Sequence, residues 1–310
     1  MLIVFPGQGA QGVGMGKDIY DAFPCARDVF HEVDEAISQK LSDLIFHGTE
    51  EELKMTQNAQ PALMAVSMAL VRVLEKEFNY EVGSKASFFA GHSLGEYSAL
   101  CAAGVFALQD AAKILKIRGN AMANAYPKGG AMAAVIGLSL EIMENIVSEC
   151  SSNQEIAQIA NDNSVGQIVI SGSITAVEKI MEKSLSLNAK MVKLLEVSGP
   201  FHSKLMEKAI DPMMIALEEI DFQKPAKPII SNVTAKAETG DFKRLLLQQL
   251  TERLRWRESL LFADANSVSH CLEIGAGKVL TGLAKRTVPS WKLTNINSLE
   301  SLENFVKSYL

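Results

Sequence analysis

An α/β fold with a mostly parallel sheet flanked by helices, and with a small α/β unit inserted into it, is the architecture that this 310-residue sequence predicts. Short apolar runs alternate with longer segments whose apolar residues recur at helical spacing. Within residues 128–197 the order becomes strand, helix, strand, strand, helix, strand, which is typical of a ferredoxin-like βαββαβ unit. We therefore expect a large domain of residues 1–127 and 198–310 and a small domain of residues 128–197.

The predicted elements begin with an apolar strand at the start of the chain. Helices are predicted at residues 24–46, 59–78 (opening near Pro61), 109–123, 140–150, 174–187, 203–219, 243–254 and 279–286. Strands are predicted at residues 2–5, 87–90, 131–137, 156–160, 167–171, 191–197 and 228–233, and at 271–277, where the last strand enters a glycine turn.

Composition and charge narrow the classes of protein that this sequence could form. Hydrophobic residues make up 48% and charged residues 21% of the chain, and its apolar runs are too short for a signal segment or a membrane span. A formal net charge of −6 argues against a nucleic-acid binder, which would carry a basic excess. The cysteines form no C-x-x-C pair, so we expect free thiols and a cytoplasmic location. They are Cys25, Cys101, Cys150 and Cys271.

The clearest chemical signature is the segment Gly91-His92-Ser93-Leu94-Gly95, a G-x-S-x-G pattern between an apolar run and an Ala/Leu-rich helix. A serine on such a sharp turn needs small neighbours, which the two glycines supply. The turn presents the hydroxyl beside the free N–H groups of the following helix, which suit an oxyanion. The sequence therefore predicts a nucleophilic Ser93 in a hydrolase-like domain, with a tight turn that happens to contain serine as the alternative.

Five histidines are available as a general base for this serine. His202 is the best candidate because it follows a predicted strand in a Gly-Pro loop, although a purely loop-stabilising histidine is the alternative. His92 is adjacent to the serine, so its side chain should project elsewhere. The other three lie on a predicted helix or in polar flanks: His31, His47 and His270.

Two further features have mainly structural interpretations on the residues alone. The pattern Gly7-x-Gly9-x-x-Gly12 follows a strand, as a dinucleotide fingerprint does, but residues 24–46 show helical spacing where the fingerprint needs a second strand. We therefore expect no dinucleotide site, although the loop can still offer N–H groups to a ligand. Arg118, in a predicted helix, is most simply a solvated residue.

Several motifs, in order and over essentially the whole chain, resemble those of the malonyl-CoA:acyl-carrier-protein transacylases, the loading enzymes of bacterial fatty-acid synthesis. The nucleophile pattern continues as Gly91-His92-Ser93-Leu94-Gly95-Glu96-Tyr97-Ser98-Ala99-Leu100. The other matching segments are Phe5-Pro6-Gly7-Gln8-Gly9-Ala10-Gln11, Arg118-Gly119, Gly130-Ala131-Met132, Asn163-Ser164, Pro200-Phe201-His202-Ser203, Gln249-Leu250 with Arg255-Trp256, and Glu273-Ile274-Gly275.

The resemblance implies a role for each candidate residue. Ser93 would be the nucleophile and His202 its base, with the imidazole oriented by a backbone carbonyl near Gln249. The N–H groups of Gln11 and Leu94 would form the oxyanion hole. The remaining substrate-binding residues would be Arg118, which would hold the free malonyl carboxylate, together with Gln249 and Asn163.

The implied reaction is ping-pong transfer of a malonyl group from malonyl-CoA to acyl carrier protein through a malonyl-serine intermediate. It would need no metal and no cofactor. The resemblance also implies a monomer, while the net charge and the short apolar runs predict no nucleic-acid or membrane partner. An acidic carrier protein would require a basic patch near the site entrance. Candidates for that patch are Lys190, Lys193, Lys278, Lys285 and Arg286, each of which could instead be ordinary solvated surface.

Three alternatives stay open at the level of sequence. A hydrolase or thioesterase would use the same serine and histidine with water as the acceptor. A transacylase of polyketide synthesis or malonate decarboxylation would show the same motifs. A catalytically silent scaffold for carrier protein is disfavoured by the intact Ser93, His202 and Arg118.

The loops also depart from the family pattern at Val165, Ala276 and the segment containing Arg253.

Overall fold

The computed structural model describes residues 1–309, which form two β-sheets and the helices around them. The strands are β1 (Leu2–Phe5), β2 (Phe88–Gly91), β3 (Gly130–Ile136), β4 (Ala157–Ser164), β5 (Gln167–Ser173), β6 (Met191–Leu194), β7 (Ile229–Ile230), β8 (Ala237–Glu238), β9 (His270–Ile274) and β10 (Lys292–Ile296).

The helices fall between these strands in the alternating order that the sequence predicts. They are α1 (Lys17–Ala22), α2 (Pro24–Ala36), α3 (Leu41–His47), α4 (Glu50–Lys54), α5 (Thr56–Phe78), α6 (Val82–Lys85), α7 (Gly95–Ala102), α8 (Leu108–Ala125), α9 (Leu140–Cys150), α10 (Ile174–Ser186), α11 (Ile210–Glu218), α12 (Phe242–Gln249), α13 (Trp256–Ala265), α14 (Val279–Thr287) and α15 (Leu299–Tyr309). A 3-10 helix, Lys204–Ala209, precedes α11.

The large sheet has six strands in the order β10-β9-β1-β2-β7-β8, and every pair except β7–β8 is parallel. Strand β1 lies inside the sheet, and all four of its side chains are buried, as expected for a parallel strand covered on both faces. Phe5 pairs with Gly91, so β1 and β2 end side by side at the same edge. The loop after β1 and the serine turn after β2 therefore lie next to each other.

The small sheet has four strands in the order β4-β5-β3-β6, and all of its pairs are antiparallel. Strand β5 lies between β3 and β4, so it splits the β-α-β unit that these two strands form with α9. Helices α9 and α10 pack on this sheet through a separate buried apolar cluster that includes Met143, Ile146 and Ile180. The predicted fold class, a mostly parallel sheet with an inserted βαββαβ unit, is confirmed.

Helices cover both faces of the large sheet. One face packs against α2, α5, α7 and α8 in the main apolar core, to which Phe5 and Phe89 contribute. The opposite face packs against α13 and α14 through Leu2, Val4 and Trp256. Of the helices within residues 1–309, none combines the length and the apolar character needed to cross a membrane.

Some predicted boundaries are wrong for identifiable reasons. The predicted helix at 24–46 is divided into α2 and α3 because Ser38 adopts a positive φ of 51°, and Asp34 accepts a hydrogen bond from the Ser42 N–H at 2.8 Å. Pro61 lies inside α5, one turn after the helix begins. The predicted helix at 203–219 starts as a 3-10 helix. The sequence pattern does not predict α1, α4, α6, β8, α13, β10 and α15.

The two sheets are joined by backbone and side-chain contacts around Leu254. Its N–H donates to the carbonyl of Ala160 at 2.8 Å, and its carbonyl accepts from the N–H of Asp162 at 2.9 Å. The Asp162 carboxylate, with 1% of its side chain exposed, accepts from Arg257 Nε and Nη2 at 2.8 to 3.0 Å. These contacts attach β4 to the segment that leads into α13.

Replacement of Arg257 by alanine should destabilise the fold because it leaves the buried Asp162 carboxylate without its cation. We expect a loss of about 3 kcal/mol in the free energy of unfolding. Urea unfolding of the two proteins would measure this loss. Lys17→Ala, which breaks the exposed pair with Asp21, is the control and should change stability by less than about 0.5 kcal/mol. Equal effects of the two substitutions would contradict the role given to the buried pair.

Candidate active site

Ser93 lies on the sharp turn between β2 and α7, with a positive φ of 55° that non-glycine residues seldom adopt. A Cβ at Gly91 would overlap the carbonyl group of Gly95, and a Cβ at Gly95 would overlap the carbonyl of Phe5. The turn is further held by Asn232, which accepts from the Ser93 N–H at 2.8 Å and donates to the Gly91 carbonyl at 2.7 Å. The strained turn that the glycines predict is therefore present.

The structure brings His202 to this serine. The distance from Ser93 Oγ to His202 Nε2 is 2.9 Å, and His202 Nδ1 lies 2.7 Å from the backbone carbonyl of Gln249. Because a carbonyl oxygen can only accept, Nδ1 carries the ring proton in the neutral imidazole and Nε2 is left with its lone pair. The serine hydroxyl therefore donates to Nε2, which is the arrangement that a general base requires.

Burial, reinforced by the nearby positive charge of Arg118, lowers the pKa of His202 to about 3. Protonation would block Nε2, so reactivity should be lost only as the pH falls towards that value. We expect the rate at which an uncharged ester such as p-nitrophenyl acetate acylates Ser93 to show no inflection between about pH 5 and pH 8. A stopped-flow pH–rate profile would measure it, and an inflection near the ordinary histidine value would contradict the lowered pKa.

Arg118 is 1% exposed, so the expectation of a solvated helix residue is wrong. From α8 its guanidinium donates to Gln60 Oε1 and Gln249 Oε1, each at 2.8 Å, and to Ser93 Oγ at 3.2 Å. The group also lies 5.3 Å from the centre of the Tyr97 ring. None of the direct partners is a carboxylate, so a buried cation beside the serine is held by neutral oxygens and is open to an anionic ligand.

Gln249 connects the groups of the site. Its Nε2 donates to the carboxylate of Glu96 at 2.6 Å and to the carbonyl of Ser93 at 3.1 Å, while its Oε1 accepts from Arg118. Burial raises the pKa of the Glu96 carboxyl to about 7, against hydrogen bonds from Gln249 and Asn232. No role is predicted from the sequence for Glu96, although it lies in the nucleophile motif, or for Asn232, which no local pattern marks.

The N–H groups of Gln11 and Leu94 have no acceptor among residues 1–309. Leu94 directly precedes α7, and Gln11 follows β1 and lines the pocket that contains Ser93. The Gln11 side chain accepts from the N–H of Gly9 at 2.7 Å, which fixes the loop locally. Both N–H groups are therefore available to a ligand oxygen.

Asn163 contacts His92 rather than the serine–histidine pair. Its Oδ1 lies 2.9 Å from His92 Nε2, and the His92 ring packs edge-on against Trp256 with centroids 5.6 Å apart. Burial lowers the pKa of His92. As expected, the ring of His92 is directed away from the hydroxyl of Ser93. Asn163 thus links the β4–β5 hairpin to the serine turn.

Ser93 opens into a pocket of about 460 Å³ between the two sheets. Its large-domain wall includes Gln8, Gln60 and Met122, and its small-domain wall includes Met132 and the segment 193–197. The exposed residues Lys193, in the small domain, and Lys54, in α4, also line the pocket, and Lys54 Nζ lies 3.6 Å from the carboxylate of Glu196. Within residues 1–309 no cluster of three or more His, Cys, Asp or Glu side chains could hold a metal ion.

Comparisons with known proteins match nearly the whole chain. A family model described as the acyl transferase domain matches residues 2–287. The malonyl CoA-acyl carrier protein transacylase of Bacillus subtilis is 44% identical over 303 residues, covering 97% of this chain and 94% of that protein. An acyl-carrier-protein S-malonyltransferase structure from Bartonella henselae is 49% identical with a TM-score of 0.95, covering 99% of this chain and 98% of that one. A malonyl-transacylase solved in complex with a type II PKS acyl-carrier protein is 39% identical with a TM-score of 0.94, covering 99% of both chains.

Proposed function

The chain belongs to the acyl transferase domain family, among the malonyl-CoA:acyl carrier protein transacylases that its motifs resemble, and from this premise we propose that it transfers malonyl groups from malonyl-CoA to acyl carrier protein. The observation that carries the proposal is the meeting of three groups at one hydroxyl. Ser93 Oγ lies 2.9 Å from His202 Nε2 and 3.2 Å from Arg118 Nη2. A nucleophile, a base and a carboxylate anchor are thus within reach of one acyl group.

In the first half-reaction, Ser93 Oγ attacks the thioester carbonyl carbon while its proton passes to His202 Nε2. The carbonyl oxygen becomes an oxyanion and accepts hydrogen bonds from the N–H groups of Gln11 and Leu94. Collapse of the tetrahedral intermediate breaks the carbon–sulfur bond, and the imidazolium returns the proton to the CoA sulfur. The Gln249 carbonyl stabilises the imidazolium through Nδ1–H and keeps Nε2 aimed at the serine.

In the second half-reaction, the phosphopantetheine thiol of the carrier protein takes the place of CoA. His202 removes the thiol proton, the sulfur attacks the malonyl ester, and the same N–H groups hold the oxyanion. Breaking the carbon–oxygen bond then returns the proton to Ser93 Oγ. Both half-reactions use His202 as the base and the same two N–H groups as the oxyanion hole. The second half-reaction breaks the serine ester that the first one forms, as ping-pong transfer requires.

Arg118 gives the site its preference for a malonyl group. A guanidinium can pair with the free carboxylate through two parallel N–H···O bonds, which fix the acyl chain as well as bind it. An acetyl group offers no such partner and leaves the buried cation with neutral oxygens alone. Gln249 and Gln60 hold the guanidinium from α12 and α5, and Asn163 supports the serine turn through His92.

The location, the oligomeric state, the pathway and the domain roles are part of the same proposal. The chain acts as a cytoplasmic monomer, and its carrier-bound product supplies fatty-acid elongation. Residues 1–127 and 198–310 form the catalytic domain, and residues 128–197 form the small domain that closes one side of the pocket. A related transacylase is bound to a polyketide-synthase carrier protein, so carrier proteins of both kinds should be offered as acceptors.

The test is the intact mass of the protein after brief exposure to malonyl-CoA, with Ser93→Ala as the blank. We expect a malonyl adduct on the native chain that holo carrier protein discharges much faster than buffer does. An adduct that buffer discharges at the same rate would indicate a hydrolase. The absence of both adduct and turnover would mean that the chain keeps the family's residues without its chemistry.

Binding of the carrier protein should depend on the positive charge of Lys193, an exposed residue that lines the pocket. We expect Lys193→Glu to raise the apparent KM for carrier protein by about three- to tenfold, because an acidic partner would meet a like charge. Acylation at saturating malonyl-CoA should be unchanged. Steady-state and burst kinetics separate these two steps. Lys307→Glu, on the exposed face of α15, is the control and should alter neither, whereas equal losses in both half-reactions of Lys193→Glu would contradict a carrier-specific role.

A further inference from the structure

Glu96 is a buried carboxyl group beside the site that the reaction described above does not use. It lies in the first turn of α7, three positions after the nucleophile, and is 1% exposed. Its Oε2 accepts from Gln249 Nε2 at 2.6 Å and from the Asn232 N–H at 3.3 Å. A buried carboxyl is costly unless it is hydrogen-bonded, and here its bonds lead directly to the groups that hold Ser93 and Arg118.

Gln249 is the residue through which Glu96 reaches the reacting groups. The amide Nε2 points to Glu96, and the amide Oε1 accepts from Arg118 Nη2 at 2.8 Å. A reversed amide would set its NH₂ group against the guanidinium and its oxygen against the carboxylate, and both contacts would be repulsive. The Ser93 carbonyl and Asn232 Oδ1 also accept from this Nε2, at 3.1 and 3.3 Å, and the carboxylate is its nearest and only charged acceptor. The carboxylate therefore contributes most to fixing which end of the amide Arg118 meets.

The backbone of the same glutamine supports the base. The Gln249 carbonyl accepts from His202 Nδ1 at 2.7 Å, and Gln249 is fully buried at the last position of α12. The side chain and the backbone of one residue thus position the carboxylate anchor and the general base. Loss of the Glu96 carboxylate releases the side-chain amide, whereas the backbone of Gln249 remains in α12.

We propose that Glu96 is a positioning residue for malonyl selectivity: by holding the Gln249 amide, it holds the Arg118 guanidinium where the substrate carboxylate must meet it. The inference rests on the proposed function, because it needs Arg118 to bind the malonyl group. Glu96 itself touches neither the substrate nor the reacting atoms. Its ionised form is the stronger acceptor for Gln249, so protonation weakens the same link.

Because protonation of Glu96 weakens its hydrogen bond to Gln249, malonyl selectivity should depend on pH even where the serine–histidine pair does not titrate. Burial places the pKa of Glu96 at about 7, so its ionised fraction falls as the pH falls through that range. The dyad does not titrate there, because the pKa of His202 is about 3. The groups that act on Glu96 are the cation Arg118 of α8, Tyr97 of its own helix (pKa about 12), and the neutral donors Gln249, Ser231 and Asn232.

The experiment compares acylation by malonyl-CoA and by acetyl-CoA across about pH 5.5 to pH 8.5, using quenched-flow intact mass. We expect Glu96→Ala to lower the malonyl-to-acetyl ratio of kcat/KM about tenfold to a hundredfold, because a charge-assisted hydrogen bond is lost. Glu96→Gln keeps an acceptor for Gln249, so its ratio should stay within about threefold of the native value and become independent of pH. The native ratio should fall on acidification.

Glu273→Gln is the matched control, since Glu273 is also a fully buried carboxyl that accepts backbone N–H groups, those of Leu280 and Thr281 in α14. Its ratio and pH profile should match the native protein. Equal slowing of both acyl groups by Glu96→Ala, or an unchanged pH profile in Glu96→Gln, would overturn the inference. The pH profile of Glu96→Gln tests the inference even where Glu96→Ala does not fold. A native chain that forms no malonyl adduct would instead remove the proposed function and the inference with it.

Discussion

The His202→Ala variant should acylate Ser93 about 10²- to 10⁴-fold more slowly than the native chain, because the serine proton then has no acceptor at 2.9 Å. Single-turnover kinetics with malonyl-CoA measure the rate directly. Substrate affinity should change little, since Arg118 and the pocket walls remain.

His92→Ala is the natural comparison for this variant, since His92 is also buried and lies next to the nucleophile. Its Nε2 contacts Asn163 and not Ser93, so its loss should disturb the turn without removing the base. We expect a reduction of less than about tenfold, in the range of one lost neutral hydrogen bond. Similar losses for the two histidine variants would mean that the 2.9 Å contact is not the route of the proton.

The nucleophile could be predicted from the sequence because its geometry is set within five residues. Gly91 and Gly95 are needed wherever a strand and a helix approach so closely, and they mark the turn without any long-range information. His202 required more, since no local pattern separates a base from a loop histidine. The resemblance of its loop to a known family supplied that step.

Arg118 could not be placed from the residues alone because a charged side chain in a helix looks the same whether it is buried or exposed. Its burial depends on Gln60 and Gln249, which are 58 and 131 positions away along the chain. Glu96 was missed for the same reason, since its acceptor role appears only when α12 packs beside α7. Long-range packing decides such contacts, and the sequence carries no periodic signal for them.

The fold likewise contains elements that local patterns predict and elements that they do not. The strands of the small sheet could be predicted because they are short apolar runs between helical segments, and Gly137 and Gly166 follow β3 and β4. Strand β4 nevertheless continues to Ser164, beyond the predicted end at residue 160. Strand β10 was missed because it is an edge strand whose residues are mostly half-exposed, and Thr294 and Asn295 interrupt its apolar pattern. Helix α15, which packs on β10, then had no predicted partner.

Arg118→Ala should change the preference for malonyl-CoA over acetyl-CoA more than any other substitution described above. We expect kcat/KM for malonyl-CoA to fall about 10²- to 10³-fold, because the substrate carboxylate would enter a buried site without its cation. Acylation by acetyl-CoA should stay constant or rise, since no buried charge is left unpaired. Parallel measurement of both substrates with the native chain and the variant would show the change as an inverted preference.

Arg118→Lys provides the control for charge alone. A lysine keeps the cation but cannot make the two parallel bonds or span from Gln60 to Gln249, so we expect an intermediate loss for malonyl-CoA. Thermal unfolding of each variant is needed, because Gln60 Oε1 and Gln249 Oε1 lose a donor in the alanine variant. Equal losses for malonyl-CoA and acetyl-CoA would show that Arg118 supports the fold of the site without selecting the acyl group. A loss confined to malonyl-CoA, graded from lysine to alanine, would assign the selection to the guanidinium and its fixed geometry.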